Sequence, residues 1–271
     1  MIPLEDSYQD ISNKAIRGLG ITPEALAQEV GVSTAALRDF ADGAFSAAVA
    51  RKIAPLLGLD AETFVASGEH TWKPAPVSVP GLWQFHNTGG MEPNFYLAHH
   101  PASGTAVAFD TGDDASELLE TLAQLGCGLR ALCLTHTHGD HIADVPKIQA
   151  AYPKAEIFIG ELEPIPGAKL VRQGQVLSFG GLTLECRLTT GHSVGGITYV
   201  ISGLERPVAI VGDAIFAGSM GGGKISWADA LATNRAQIFT LPDTTVLCPG
   251  HGPLTTLAEE KAHNPFYPEF K

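Results

Sequence analysis

The stretch His136-Thr137-His138-Gly139-Asp140-His141 sets four metal-binding side chains within six residues, directly after the apolar run Ala131-Leu132-Cys133-Leu134. That run reads as a buried strand, so the motif occupies the loop leaving its end, where α/β sheets commonly place active sites. Imidazoles and a carboxylate crowded at this spacing serve no packing need; they suit a divalent cation held as an electrophile. Three later residues fit the same scheme. His192 lies in Thr189-Thr190-Gly191-His192-Ser193 after the strand-like Leu182–Leu188, and Asp213 follows Val208-Ala209-Ile210-Val211-Gly212. His251 lies in Cys248-Pro249-Gly250-His251-Gly252-Pro253, after Thr245-Val246-Leu247. Each stands at the C-terminal end of an apolar strand, so all can converge on one rim, and the adjoining glycines let the backbone approach an ion closely.

This pattern resembles the metallo-β-lactamase superfamily and, within it, the glyoxalase II-like hydrolases of the compact bacterial type. The likeness runs over residues 81–271. It starts at Asn94-Phe95-Tyr96-Leu97 and Val107-Ala108-Phe109-Asp110-Thr111-Gly112, then passes through the histidine motif and Thr190-Gly191-His192-Ser193. Gly212-Asp213-Ala214-Ile215-Phe216-Ala217-Gly218-Ser219 follows, and the likeness closes at Pro249–Thr256 and Asn264-Pro265-Phe266. The resemblance implies two divalent metal ions, zinc first, with iron or manganese also suited to these ligands. His136, His138 and His192 would hold one ion, Asp140, His141 and His251 the other, and Asp213 would bridge them. It implies a metal-dependent hydrolase in which a hydroxide held between the ions attacks the carbonyl of a small thioester or ester, with Asp140 as the catalytic residue that aims it.

Other activities of the superfamily bear on the same residues. Enzymes that open β-lactams commonly carry Cys where Asp213 stands and lack a histidine after the motif aspartate. Flavodiiron relatives replace the second motif histidine, here His138, with Glu. A mononuclear-iron persulfide dioxygenase keeps a similar ligand set and stays open as the alternative. The substrate loop departs from the compact type, whose Gly-Ser-Ile-Gly-Arg reads Gly218-Ser219-Met220-Gly221-Gly222 here, with Lys224 two residues later. Lys224, Gly221 and His86 are the nominated substrate contacts, and glutathione is not specified as the carrier.

The chain has 271 residues, 45% of them hydrophobic, and a formal net charge of −12. That length suits one large and one small domain, and the charge argues against general affinity for nucleic acid or anionic membranes. No stretch approaches the ~20 apolar residues of a membrane span. Acids at Glu5 and Asp6, in place of a basic leader, point to the cytoplasm. Cys127, Cys133, Cys186 and Cys248 are scattered in or beside apolar runs, as expected of reduced, buried thiols.

Residues 1–70 read as a separate, small all-α domain. Thr22-Pro23-Glu24 starts a helix with a cap, a first-turn proline and an acid. Leu26, Ala27 and Val30 form its apolar face, and Gly31 ends it. Ser33 caps a second helix carrying Ala36, Leu37 and Phe40; a third, about 45–57, buries Val49, Ile53, Leu56 and Leu57. The arrangement resembles the helix-turn-helix of Cro/C1-type regulators, so a regulator with a metal-binding sensor domain is a further alternative. Its charges oppose DNA binding, since five basic and ten acidic side chains leave −5, whereas phosphate contacts normally dominate DNA affinity. A packing or homo-oligomerisation role is the expectation, with residues 71–80, rich in proline, as a linker.

The expected architecture for 81–271 is the four-layer αββα sandwich. Strands are placed near 82–86, 94–98 and 105–109, then a helix at 114–125, the metal-motif strand and a helix. A second strand set is placed at 156–159, 176–187, 197–202 and 207–211. His99 and His100 are assigned to a hairpin turn, and Trp83, Phe85 and Tyr96 to the core.

Overall fold

The computed structural model describes residues 2–271. Its N-terminal part is helical: α1 (Tyr8–Leu19), α2 (Pro23–Val30), α3 (Thr34–Ala41), α4 (Ala47–Ile53), continued by a 3-10 turn at Ala54–Leu57, and α5 (Ala61–Gly68). Every one of the five α-helices starts at a polar side chain, Ser7, Thr22, Ser33, Ser46 or Asp60, that accepts a first-turn N–H, as helix N-termini require. The expected first helix at Thr22 is in fact the second. The preceding α1 is closed by a capping box in which Ser7 and Asp10 satisfy each other's backbone N–H groups, and it buries Tyr8, Ile11 and Ala15. Leu56, expected in the core, points outward instead; the 3-10 turn rotates it away from Leu57, which is buried.

Two six-stranded sheets follow. The first holds β1 (Leu82–His86), β2 (Asn94–His100), β3 (Thr105–Phe109), β4 (Leu129–Cys133), β5 (Glu156–Gly160) and β6 (Lys169–Val171), paired in that order. The second holds β7 (Val176–Phe179), β8 (Leu182–Leu188), β9 (Ile197–Ser202), β10 (Val208–Gly212), β11 (Val246–Pro249) and β12 (Thr255–Thr256), ordered β12-β11-β10-β9-β8-β7. Strand 156–159 therefore belongs to the first sheet rather than the second. Residues 176–187 are a hairpin, not one strand, because Gly180, with φ +60°, turns the chain back at Gly180-Gly181. His99 and His100 pair with Ala106 and Thr105 inside β2, and the turn falls after them at Pro101–Ser103.

Alternation along the strands builds the layers. Val107 and Phe109 of β3 and Val208 and Ile210 of β10 share a core between the two sheets, while their neighbours face outward, as the period of two demands. On the outer face of the first sheet, Ala106 and Ala108 pack under α6 (Ser116–Leu125) and under α8 (Val145–Ala151), which follows the single turn α7 (Gly139–Ile142). On the outer face of the second, Ala209, Val211 and Leu247 pack with α9 (Trp227–Gln237), α10 (Leu257–His263) and the N-terminal helices in one cluster. The result is the αββα sandwich. No helix among the described residues is long and apolar enough to cross a membrane.

The N-terminal helices are tied to the sandwich by specific contacts. Gly18 of α1 lies where any side chain would strike the Trp227 indole, and Asp60 N–H donates to Pro265 O at 2.8 Å. Lys14 pairs with Asp6 and donates to Met220 O at 2.8 Å, with the two side chains only 12 and 7% exposed. Residues 71–80 run along the surface with Trp72 stacked on His263 and Ala75 N–H bonded to Glu259. Removing one member of a buried ion pair strands the other without water. Lys14→Met is expected to destabilise the protein by about 3 kcal/mol in urea unfolding, and Lys14→Met/Asp6→Leu to recover most of that loss.

Candidate metal centre

All seven nominated ligands meet where the C-terminal strand ends of both sheets come together. The first sheet supplies His136, His138, Asp140 and His141 from the β4–α7 loop and α7. The second supplies His192 after β8, Asp213 after β10 and His251 after β11. Two groups result: His136, His138, His192 and Asp213, and Asp140, His141 and His251, with the donor atoms of each group within 4.8 Å of one another.

The hydrogen bonds behind the rings fix which nitrogens face inward. His141 Nδ1 lies 2.9 Å from Asp110 Oδ2 and donates to it, which leaves Nε2 as a lone pair. Thr135 Oγ1 donates to Asp110 at 2.7 Å, so it accepts from His136 Nδ1 at 3.0 Å and leaves that Nε2 bare. His192 Nδ1 donates to Gly222 O at 3.0 Å, with the same outcome. His138 faces these nitrogens with Nδ1, 3.0 Å from His136 Nε2 and 3.1 Å from His192 Nε2. Asp213 Oδ2 lies 3.2 Å from His192 Nε2 and 3.9 Å from His136 Nε2. These separations match a tetrahedron around an ion bound at ~2.0–2.1 Å, whose edges are about 3.4 Å. Across the site, His251 Nε2 and His141 Nε2 stand 3.3 and 3.7 Å from Asp140 Oδ2, and Asp213 Oδ1 stands 3.3 Å from His141 Nε2. The Asp213 carboxylate thus turns one oxygen to each group. Buried His141 Nε2 and Asp213 Oδ1 have no hydrogen-bond partner, a costly state that a cation relieves.

Electrostatics agree with that fit. Burial opposes charge on His141, yet Asp213 and Asp110 outweigh it and hold its basicity well above that of an ordinary imidazole. The pocket draws a positive charge to that position. His136, buried and beside the other rings, is held well below the usual histidine range, and remains a neutral donor. Asp140 feels burial raising it, but the His251 hydrogen bond and the His141 charge take it down to about 2.

Several supporting residues were not nominated from the sequence. Asp110 sits in the left-handed region at φ +56°, a strained conformation for a non-glycine residue. It accepts from Thr135 N–H, Thr135 Oγ1 and His141 Nδ1 together. Its place in Asp110-Thr111-Gly112 at a strand end was the available signal. Glu163 accepts from Thr137 N–H at 2.8 Å and Gly195 N–H at 2.7 Å, clamping the motif loop to the His192 loop. Nothing in its local sequence marks it. Asn94 donates from its backbone to Gly250 O and from its amide to Pro249 O and Gly252 O, fixing the turn that carries His251.

The nominated substrate contacts are placed as follows. His86 Nδ1 meets Asn94 Oδ1 at 3.0 Å, behind the His251 turn. Lys224 is exposed, and its charge acts on His138. Gly221 is buried against the ligands: a Cβ there would fall 1.9 Å from Asp213 O and 2.7 Å from His192 Nδ1.

With this geometry in view, the comparisons are consistent. The sequence profile of the metallo-beta-lactamase superfamily matches residues 88–251, more than half of the chain, and the chain belongs to that superfamily. The hydroxyacylglutathione hydrolase GloC of Haemophilus influenzae is 26% identical over 185 residues, covering 59% of this chain and 86% of the relative. The crystal structure of ETHE1 from Myxococcus xanthus is 26% identical, with a TM-score of 0.63 over 69% of this chain and 84% of its own. That of the B3 metallo-beta-lactamase BLEG-1 is 29% identical, with a TM-score of 0.61 over 68% and 98%.

Two outcomes follow from the supports. Gly221→Ala must displace backbone next to Asp213, so it is expected to weaken metal retention by about 10–100-fold, the usual effect of disturbing a ligand's supporting contacts, measured by chelator competition. Glu260, fully buried, accepts from Thr255 Oγ1, Asn264 Nδ2 and Gly218 N–H. Burial lifts its carboxyl from 4.5 to about 7. The folded state therefore binds the extra proton between those values, and stability contributed there is lost as pH rises through 7. The loss is up to about 3 kcal/mol, and Glu260→Gln is expected to abolish it in denaturant titrations compared at pH 5 and pH 8.

Proposed function

We propose that this chain is a dinuclear metallohydrolase that cleaves a small thioester or ester, in the manner of the glyoxalase II-like branch. One observation carries the reading: Asp213 presents one carboxylate oxygen to each of two complete ligand groups. His136, His138, His192 and Asp213 Oδ2 would hold one cation, and Asp140, His141, His251 and Asp213 Oδ1 the other. When bound, such a pair supplies water acidified toward a pKa of about 7 and Lewis-acid stabilisation of a carbonyl oxygen.

The chain's own residues do the rest. Asp110 keeps His141 in one tautomer, Gly222 O does the same for His192, and Thr135 for His136. Asp140, ionised and only partly buried at the rim, accepts a hydrogen bond from the attacking water and aims it. The likeness to a hydroxyacylglutathione hydrolase supports thioester chemistry. Exposed Lys224 is the one nominated cation for an anionic carrier.

A second reading, a mononuclear-iron persulfide dioxygenase that consumes oxygen, would use a similar ligand set, and the chain is also similar to ETHE1 of Myxococcus xanthus. Metal analysis and turnover separate the two. The hydrolase is expected to retain two equivalents of zinc, or of zinc and iron, per chain, and to turn over lactoylglutathione or a simple ester but not the β-lactam nitrocefin. Asp213→Ala is expected to lower kcat by at least about 1000-fold and to halve the metal content. One iron with persulfide-dependent oxygen uptake would overturn the reading in favour of the dioxygenase.

A further inference from the structure

A cavity of 780 Å³ lies between the N-terminal segment, residues 72–77 and the loop after His251, within the range of small-molecule sites. Its walls include Leu4, Glu5, Trp72, Ala75, Val77 and Leu254. It adjoins the metal centre through the chain itself, since Pro253 and Leu254 of its wall directly follow His251 and Gly252. Glu5 stands at the junction: its backbone N and Cβ lie 3.2 and 3.4 Å from where a Gly252 side chain would begin. Glu5 lines the cavity and keeps accessible surface.

The N-terminal helices hold this wall in place. Asp6 receives Lys14 and the Ser219 hydroxyl, so the segment beginning at Ile2 is pinned to the loop that carries Gly221. Trp72 lies flat on His263 and blocks any side chain at Gly218. Ala75 is anchored only through its N–H to Glu259, which leaves its methyl group to the cavity.

We propose that the N-terminal helical region and the 72–77 segment form a substrate-selecting wall, and that this cavity receives an uncharged apolar acyl or alkyl group of the substrate. The proposal rests on the hydrolase reading for its chemistry and deepens it by naming the substrate class. Apolar side chains dominate the lining. The charges on it are Glu5, Asp10 and Lys73, with Asp6 already paired to Lys14. Acids outnumber cations on that lining, which disfavours an anionic group, whereas a hydrocarbon chain buries against indole, proline rings and aliphatic groups at ~25 cal/mol per Å².

The test uses the metal-loaded full chain and its Ala75→Trp variant. Ala75 is exposed and its backbone bond survives the change, so folding is checked by unchanged melting temperature and metal content. Binding of 1-octanol is measured by calorimetry, and turnover with p-nitrophenyl acetate and octanoate. The expected results are saturable octanol binding weakened at least tenfold by Ala75→Trp, and an octanoate preference in kcat/KM of at least tenfold that the variant loses while acetate turnover is unchanged. If Ala75→Trp misfolds, Leu254→Gln replaces it, with the same loss of octanol binding expected. Absence of octanol binding, or equal binding by the wild type and a folded variant, overturns the proposal. Octanol binding that responds to the variant with no turnover of either ester supports the cavity's ligand class and sinks the hydrolase reading instead.

Discussion

The convergence of five imidazoles and two carboxylates on one rim is the constraint around which this molecule is organised. His138 Nδ1 stands 3.0–3.1 Å from the Nε2 atoms of His136 and His192, which are left bare because Thr135 and Gly222 O take up the N–H groups behind those rings, as Asp110 does behind His141. Two carboxylates complete the convergence. Without a cation, such an arrangement is repulsive and partly unsatisfied; it persists because rigid strands and buried hydrogen bonds over-determine it. The left-handed backbone of Asp110 and the side-chain-free positions at Gly221 and Gly250 are local concessions to that end. Gly250, in particular, leaves only 2.1 Å between a would-be Cβ and Asp213 Oδ1.

What could be read from the sequence follows the range of the interactions. Residues that meet at the centre sit in turns after apolar strands, and both signals are local, so type, spacing and glycine context disclose them. The αββα layering is legible for the same reason: alternation in Val107–Phe109 and Val208–Val211 repeats every second residue. The supports were hidden because their partners are remote. Glu163 reaches Thr137 and Gly195, and Asn94 reaches a turn more than 150 residues away. A lone Glu after a strand has no pattern to betray that. The missed hairpin at 176–188 is different: Gly180-Gly181 was present in the sequence but lay inside a continuous run of β-formers.

The glycine turn at Gly31 and the Ser33 cap shape α2 and α3 as expected, and α1, the helix with no counterpart in the sequence reading, helps tie this region to the sandwich. Through Gly18, Lys14 and the Asp6 segment ahead of it, this helix meets α9 and the Ser219–Gly221 loop.

The division of ligands between two sheets has a temporal meaning. His136, His138, Asp140 and His141 come from one sheet, while His192, Asp213 and His251 arrive later in the chain from the other. During synthesis, an emerging chain that has passed residue 141 owns two members of each ligand group and the whole of neither. The bridging carboxylate appears 72 residues after that motif and the last imidazole 110 residues after it. By itself the motif would offer an ion only two donors at each position, so tight binding there would wait until both sheets have met.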